Sequence, residues 1–454
     1  MNLFKNALLW AFSASLLSFG VAEAASDQKS SNQLDIDDGE NALRGFINSK
    51  RKIPLKNKVN NLKISGEMHT EWGYQTERLD GDILKTFTYQ QDQADQATGA
   101  VFLKDDRIEV ARHYPCLRFD LFVDWDYKNM YVRTDVRFDN GMGVDDTRWL
   151  PKIDAGGYHG SGIKSGLNLK QAYVGYEVFK CGTDRLIVEL GRRGNLYKVF
   201  ESELAFNARF DGIFLEYTSQ RGNIGNWYVD LAGFVIDSVG NHFAWGTEVG
   251  IEDILKSGWD AAYTFVDWHK GGHNRFFVEN PQAFRFKVSQ WRLKWFKDDF
   301  MGKGRPLQLF GAFLMNHTPS KVTNIDLFPF DSSVYLAEKR KIGRKNTAAY
   351  VGVQYGEVIH EADWYVKAVV AYVEAQAMPD NDVRCIGTGN ALRETFTAFG
   401  RGNTNWKGFY VKTGYALTEN FVIEAELDRS WAIDASIAGS RSYTRWVVET
   451  TYSF

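Results

Sequence analysis

The chain has 454 residues, a formal net charge of −3 and a mean hydropathy of −0.36. With no basic excess it lacks the electrostatic footprint of a nucleic-acid binder, and three cysteines (Cys116, Cys181, Cys385) are too few for a disulfide framework. Past the N-terminal segment no stretch reaches the ~18–20 consecutive apolar residues of a membrane-spanning helix. A membrane-spanning form must therefore cross with strands, whose alternation escapes hydropathy averages.

At the N-terminus, Lys5, the apolar run Ala7 to Val21 and the small-x-small triplet Ala22-Glu23-Ala24 predict a secretory signal peptide over residues 1–24. Ala25, rather than Cys, does not point to lipoprotein processing. Residues 25–60 are polar and read as a periplasmic extension. Asp37, Asp38 and Glu40 leading and Lys50, Arg51 and Lys52 closing match a short helix there, with a disordered leader as the alternative.

From residue 61 onward alternation and turn signals predict sixteen strands in one domain, 61–454, with no linker. They begin at Leu62–Tyr74, Leu117–Tyr127, Met130–Phe138 and Leu169–Phe179 and end at Gly408–Leu417, Phe421–Asp428 and Ser442–Phe454. Connections after even-numbered strands are short, as at Lys128-Asn129 and Thr418-Glu419-Asn420, and most of those after odd-numbered strands are long. Short turns on one rim and long loops on the other, with an even strand number, predict an all-β fold: a transmembrane antiparallel β-barrel of about sixteen strands. A soluble sandwich has no reason to alternate loop length in this way.

The faces agree. Strand two sets Leu117, Phe119, Leu121 and Val123 against Asp120 and Asp124, and strand three sets Val132, Val136 and Phe138 against Arg133, Asp135 and Arg137. Strand fifteen opposes Ile423 and Leu427 to Glu424 and Glu426, and the last strand opposes Trp446 and Val448 to Arg445 and Glu449. Arg or Lys on the lipid face costs roughly 2–4 kcal/mol at mid-membrane, so these charged residues are expected to line a wet lumen. Strand ten is a misfit: Arg285, Lys287 and Ser289 share phase with Trp291 and Trp295, which predicts a bulge near Ser289-Gln290 or else a misassigned strand.

The last strand ends on Tyr452 and Phe454, and in this it resembles the closing strand of outer-membrane β-barrels, whose terminal aromatic belongs to the assembly signal. Three further segments, Leu169-Lys-Gln-Ala-Tyr-Val-Gly-Tyr, Val188-Glu-Leu-Gly-Arg-Arg and Asn207-Ala-Arg-Phe-Asp-Gly, resemble the fourth strand, fifth strand and sixth-strand entry of the sixteen-stranded porins of Gram-negative outer membranes. The resemblance implies that the third long connection, 192–210, folds into the barrel and narrows it. By position, Arg192, Arg193, Lys198, Glu201, Glu203, Arg209 and Asp211 become constriction candidates, a slightly cationic set that weakly favours anions or neutral solutes. It further implies contact with outer-membrane lipid, insertion by the barrel-assembly machinery and a homotrimer.

Nothing in the sequence indicates an enzyme or a cofactor. His269-Lys-Gly-Gly-His273 has no nearby carboxylate or Cys and reads as a polar loop, His360-Glu361 lacks a second His, and neither a Gly-x-Ser-x-Gly element nor a Walker loop is present. No metal site is expected, and a bond between Cys116 and Cys385 is not favoured. The expected function is passive diffusion of small hydrophilic solutes and ions. A carbohydrate- or anion-selective porin and a surface adhesin are the alternatives. A dense basic ladder, as a phosphate-selective porin requires, is not evident.

Overall fold

The computed structural model describes residues 53–54, 61–80, 102–104, 107–141, 166–195, 199–206, 209–222, 224–237, 242–268, 286–300, 302, 304–319, 344–379, 382–384, 404–435 and 440–454. Within them, sixteen long strands form one closed antiparallel barrel. They are β1 (Leu62–Asp80), β2 (Arg107–Tyr127), β3 (Met130–Gly141), β4 (Gly166–Cys181), β5 (Asp184–Asn195) and β6 (Arg209–Gln220). Then follow β7 (Asn226–Asp237), β8 (His242–Glu252), β9 (Trp259–Trp268), β10 (Phe286–Lys297) and β11 (Leu307–Asn316). The last five are β12 (Thr347–Glu357), β13 (Trp364–Val373), β14 (Trp406–Thr418), β15 (Phe421–Ala432) and β16 (Ser440–Ser453). Each strand pairs with its neighbours in sequence, and β16 closes the barrel on β1 from Ser453↔Glu67 to Ser440↔Asp80. The predicted alternation of short and long connections matches these strand bounds.

Two short segments extend the ladder. Phe102–Lys104 pairs with the start of β2, and Ile53–Pro54 pairs with Lys63–Ile64 of β1. The latter corrects the expectation of a strand-free leader over 25–60. The predicted signal peptide, the helix of residues 37–52, Lys198, Cys385 and His269–His273 lie outside the described residues.

The period-two pattern sorts side chains by face. Large apolar groups point outward along the whole circumference, Trp72 (53 % exposed), Leu190 (64 %), Val351 and Leu427 among them. An apolar surface this continuous is stable only against lipid. The bulge predicted in β10 is absent: its register with β9 and β11 runs without a shift. Alternation holds because polar groups partner one another on the outer face, Lys287 with Asp267 at 2.8 Å and Ser289 with Tyr263 and His317. The inner face at the same end of β10 is apolar, through Phe286 and Val288.

The chain end belongs to the seam. Phe454 and Gly66 exchange both backbone hydrogen bonds, at 3.0 and 3.1 Å. The Phe454 ring stacks on Phe119 with centroids 5.9 Å apart and covers Gly66, where a Cβ would sit 2.6 Å from the ring. Only glycine fits beneath it. Tyr452 lies on the same outer face and is exposed.

Candidate pore lining and constriction

The lumen wall is built first from inward-pointing charges on neighbouring strands, which neutralise one another across the ladder. Arg137 of β3 grips both oxygens of Asp120 on β2 at 2.5 and 2.8 Å, and Arg133 reaches Asp124 and Asp126. Arg445 of β16 binds Glu426 and Asp428 of β15, each at 2.5 Å, and Lys412 lies 3.3 Å from Glu424. Glu449 takes Arg118 at 2.9 Å. Asp135 is buried on the same inner face. All nine lumen candidates therefore sit on the inner face.

The seven constriction candidates divide. The segment Val199–Phe206 lies inside the barrel, with Phe200, Leu204 and Phe206 fully buried. Its ring Phe200 rests on Gly246 of β8, where a Cβ would come within 2.6 Å. The Ser202 hydroxyl accepts from the backbone N–H of Leu204 and Ala205, folding the segment back on itself. Two carboxylates fasten it. Glu201 meets Arg292 and, at 3.0 Å, Lys294, both on β10. Glu203 accepts from Lys367 of β13 and from the Tyr410 hydroxyl of β14, each at 2.5 Å.

Arg193 stays on the wall, 2.6 Å from Glu189 and over the rings of Tyr173 and Phe214. Arg192 and Asp211 are a correction. They bond each other at 2.7 Å on the outer face, exposed beside the lipid-facing row of Leu190 and Ile213. Lys198 is outside the described residues, and of Arg209 only its place at the head of β6 is described. The cationic balance expected of this set is therefore not what the lumen presents.

A second inward element was not foreseen. Residues 374–379 and 382–384, which follow β13, also enter the barrel, burying Ala375, Gln376, Met378, Asp382 and Val383. Asp382 accepts from the Phe206 N–H at 3.0 Å, and the Arg384 N–H donates to the Leu204 carbonyl at 2.8 Å. The Arg384 guanidinium stacks 4.3 Å over Tyr410 and bridges Glu203 (3.3 Å) to Glu426 (3.4 Å). No motif marks Arg384 in the sequence.

The two inserts share one apolar cluster with the inner face of β6–β14, including Phe210, Phe234, Trp268, Phe310, Tyr350 and Trp406. That side of the lumen is filled. Beside it, on the β14–β1 side, remains a cavity of about 250 Å³, where Glu71, Glu424, Glu426 and Glu449 face Arg384, Lys412 and Arg445. Acids outnumber bases there.

Burial disfavours the ionised form of Glu201, but the Arg292 and Lys294 charges outweigh it and hold its carboxyl below the usual range. A depressed acid stabilises the docked segment fully above its free value, about pH 4.3, and that stabilisation is lost as pH falls through the lower docked value. Acidification below about pH 4 is expected to loosen the segment and raise current noise in bilayer recordings. A Glu201→Gln variant is expected to show no such acid step.

No protein-family model matches the chain. No curated protein matches it. Among solved structures, OprB of Pseudomonas putida at high pH aligns over 87 % of this chain and 94 % of its own, at 10 % identity and a TM-score of 0.48. The outer membrane channel DcaP of Acinetobacter baumannii aligns over 87 % and 97 %, at 11 % identity and 0.42. A triple mutant of the Rhodopseudomonas blastica porin aligns over 86 % and 100 %, at 10 % identity and 0.39.

Proposed function

We propose that this chain is a passive outer-membrane channel of the porin kind, carrying small hydrophilic solutes and ions without catalysis. The carrying observation is the charged cavity beside the inserted segment: a polar lumen, narrowed from within, inside a barrel with an apolar exterior. Residues 1–24 would direct export, Tyr452 and Phe454 would be read during insertion into the outer membrane of a Gram-negative cell, and the barrel would assemble as a homotrimer. Charged groups around a narrow pore set which ions pass. Four acids facing three bases favour cations, the reverse of the balance read from the sequence.

Planar-bilayer recording tests the reading. Discrete ohmic steps are expected, with a cation-favouring reversal potential in a salt gradient that shrinks in Glu71→Gln. Arg192→Ala, on the outer face, is expected to leave conductance and selectivity unchanged. A correctly folded barrel that stays silent in the bilayer would leave the adhesin reading in possession.

A further inference from the structure

The seam where the barrel closes carries a cluster that the pore does not need. Glu67 and His69 of β1 and Asp120 of β2 are all buried on the inner face, and one donor atom from each lies within 4.8 Å of the others. His69 Nε2 is 3.1 Å from Glu67 Oε2 and 3.7 Å from Asp120 Oδ2. We propose that Glu67, His69 and Asp120 form a divalent-cation site, suited to zinc, that staples the seam between the first and last strands.

Three features support it. The donor set, one imidazole nitrogen and two carboxylate oxygens, is of the type zinc accepts, and bonds of about 2.0–2.2 Å place tetrahedral donors roughly 3.3 Å apart. Two of the three spacings found here, 3.1 and 3.7 Å, are close to that.

The surroundings are arranged as an outer shell. Glu449 Oε1 lies 2.7 Å from His69 Nδ1 and Thr451 Oγ1 lies 3.0 Å from it, both from β16, with Arg118 Nη2 also at 3.0 Å. With Glu449 on its Nδ1 side, the ring presents Nε2 to Glu67 and Asp120. A carboxylate behind a ligating imidazole fixes its tautomer and strengthens it as a ligand. Arg137 on Asp120 and Arg118 on Glu449 hold the other carboxylates in place.

Charge points the same way. Three carboxylates (Glu67, Asp120, Glu449) meet two guanidinium groups (Arg118, Arg137), so acids outnumber the fixed bases around His69. Glu449 also borders the pore cavity, so an ion has a route in from the lumen. Because the ligands come from β1 and β2 and the orienting groups from β16, a bound ion links strands that are far apart in sequence.

The test uses the untagged full-length barrel in detergent, stripped with chelator, and reads metal rather than conductance. Co²⁺ titration of the wild type is expected to give a visible d–d band saturating at one ion per barrel, and Zn²⁺ is expected to abolish the band by displacement. His69→Gln is expected to lose the band, while Glu449→Gln keeps it with affinity about 10- to 100-fold weaker. Zn²⁺, but not Mg²⁺, is expected to raise the temperature at which the wild-type barrel unfolds on a heat-modifiability gel, since a ligand of the folded state alone stabilises it. A wild type with no band overturns the proposal whatever the variants do, and leaves a protonated His69 bridging the carboxylates. A band that survives in His69→Gln overturns it too, by placing the ion elsewhere.

Discussion

Replacing both Glu201 and Glu203 by Gln is expected to release the inserted segment and widen the pore. In the wild type these two carboxylates answer Arg292, Lys294 and Lys367, whose side chains are 7, 9 and 3 % exposed. Removing one partner of a buried pair leaves a buried charge alone, at roughly 3–5 kcal/mol. Even the lower figure shifts the docked-to-released equilibrium more than about a hundredfold. Single-channel conductance should rise, and residues 192–210 should become a site of protease cleavage. Lys367→Met on its own should act in the same direction but less strongly, because Arg384 and Tyr410 still hold Glu203. Unchanged conductance in the double variant, with the barrel folded, would remove the constriction role from this segment.

Deleting Phe454 is expected to lower the yield of inserted barrel sharply while leaving the conductance of assembled molecules unchanged. The deletion removes both backbone bonds to Gly66 and the ring stacked on Phe119. In hydrocarbon each unsatisfied backbone group costs several kcal/mol, so the penalty falls on the closing step. Gly66→Val provides the complementary test. It keeps Phe454 but drives a side chain into its ring, which a Cβ alone would already approach to 2.6 Å. The two variants should share an assembly defect, measured as the heat-modifiable fraction in isolated membranes. Normal insertion of both would reduce the terminal strand to an ordinary strand.

The barrel was legible because its information is local and periodic: Leu117 to Tyr127 and Phe421 to Asp428 declare their faces two residues at a time. The same rule, applied to the third long connection, would have placed Arg192 correctly. It is in phase with Val188 and Leu190, as Asp211 is with Ile213 and Leu215, so the pattern places both on the outer face although their charge points to the lumen. Arg292 and Lys294 were obscured for the opposite reason, since the polar outer residues Lys287 and Ser289 made β10 look out of register. Arg384 could not have been found this way. It acts from a connection without periodicity, and its partners Glu203, Tyr410 and Glu426 meet only after three separate parts of the chain have folded. The seam cluster is likewise a product of register: Glu67, His69 and Asp120 are on inner faces by pattern, but only the pairing of β1 with β2 and β16 makes them neighbours.

The apolar cluster that unites the two inserts with β6–β14 makes the barrel two materials in one wall. One arc is backed from within, as one face of a sheet is in a water-soluble domain, by side chains interlocked with its inner surface. The other, from β15 around through β5, contributes no residue to that cluster and is held mainly by ladder bonds and ion pairs. Heat or denaturant should therefore open the molecule as a hinge does, at the thin arc containing the seam. The filled arc should keep its slowest-exchanging amides to the end.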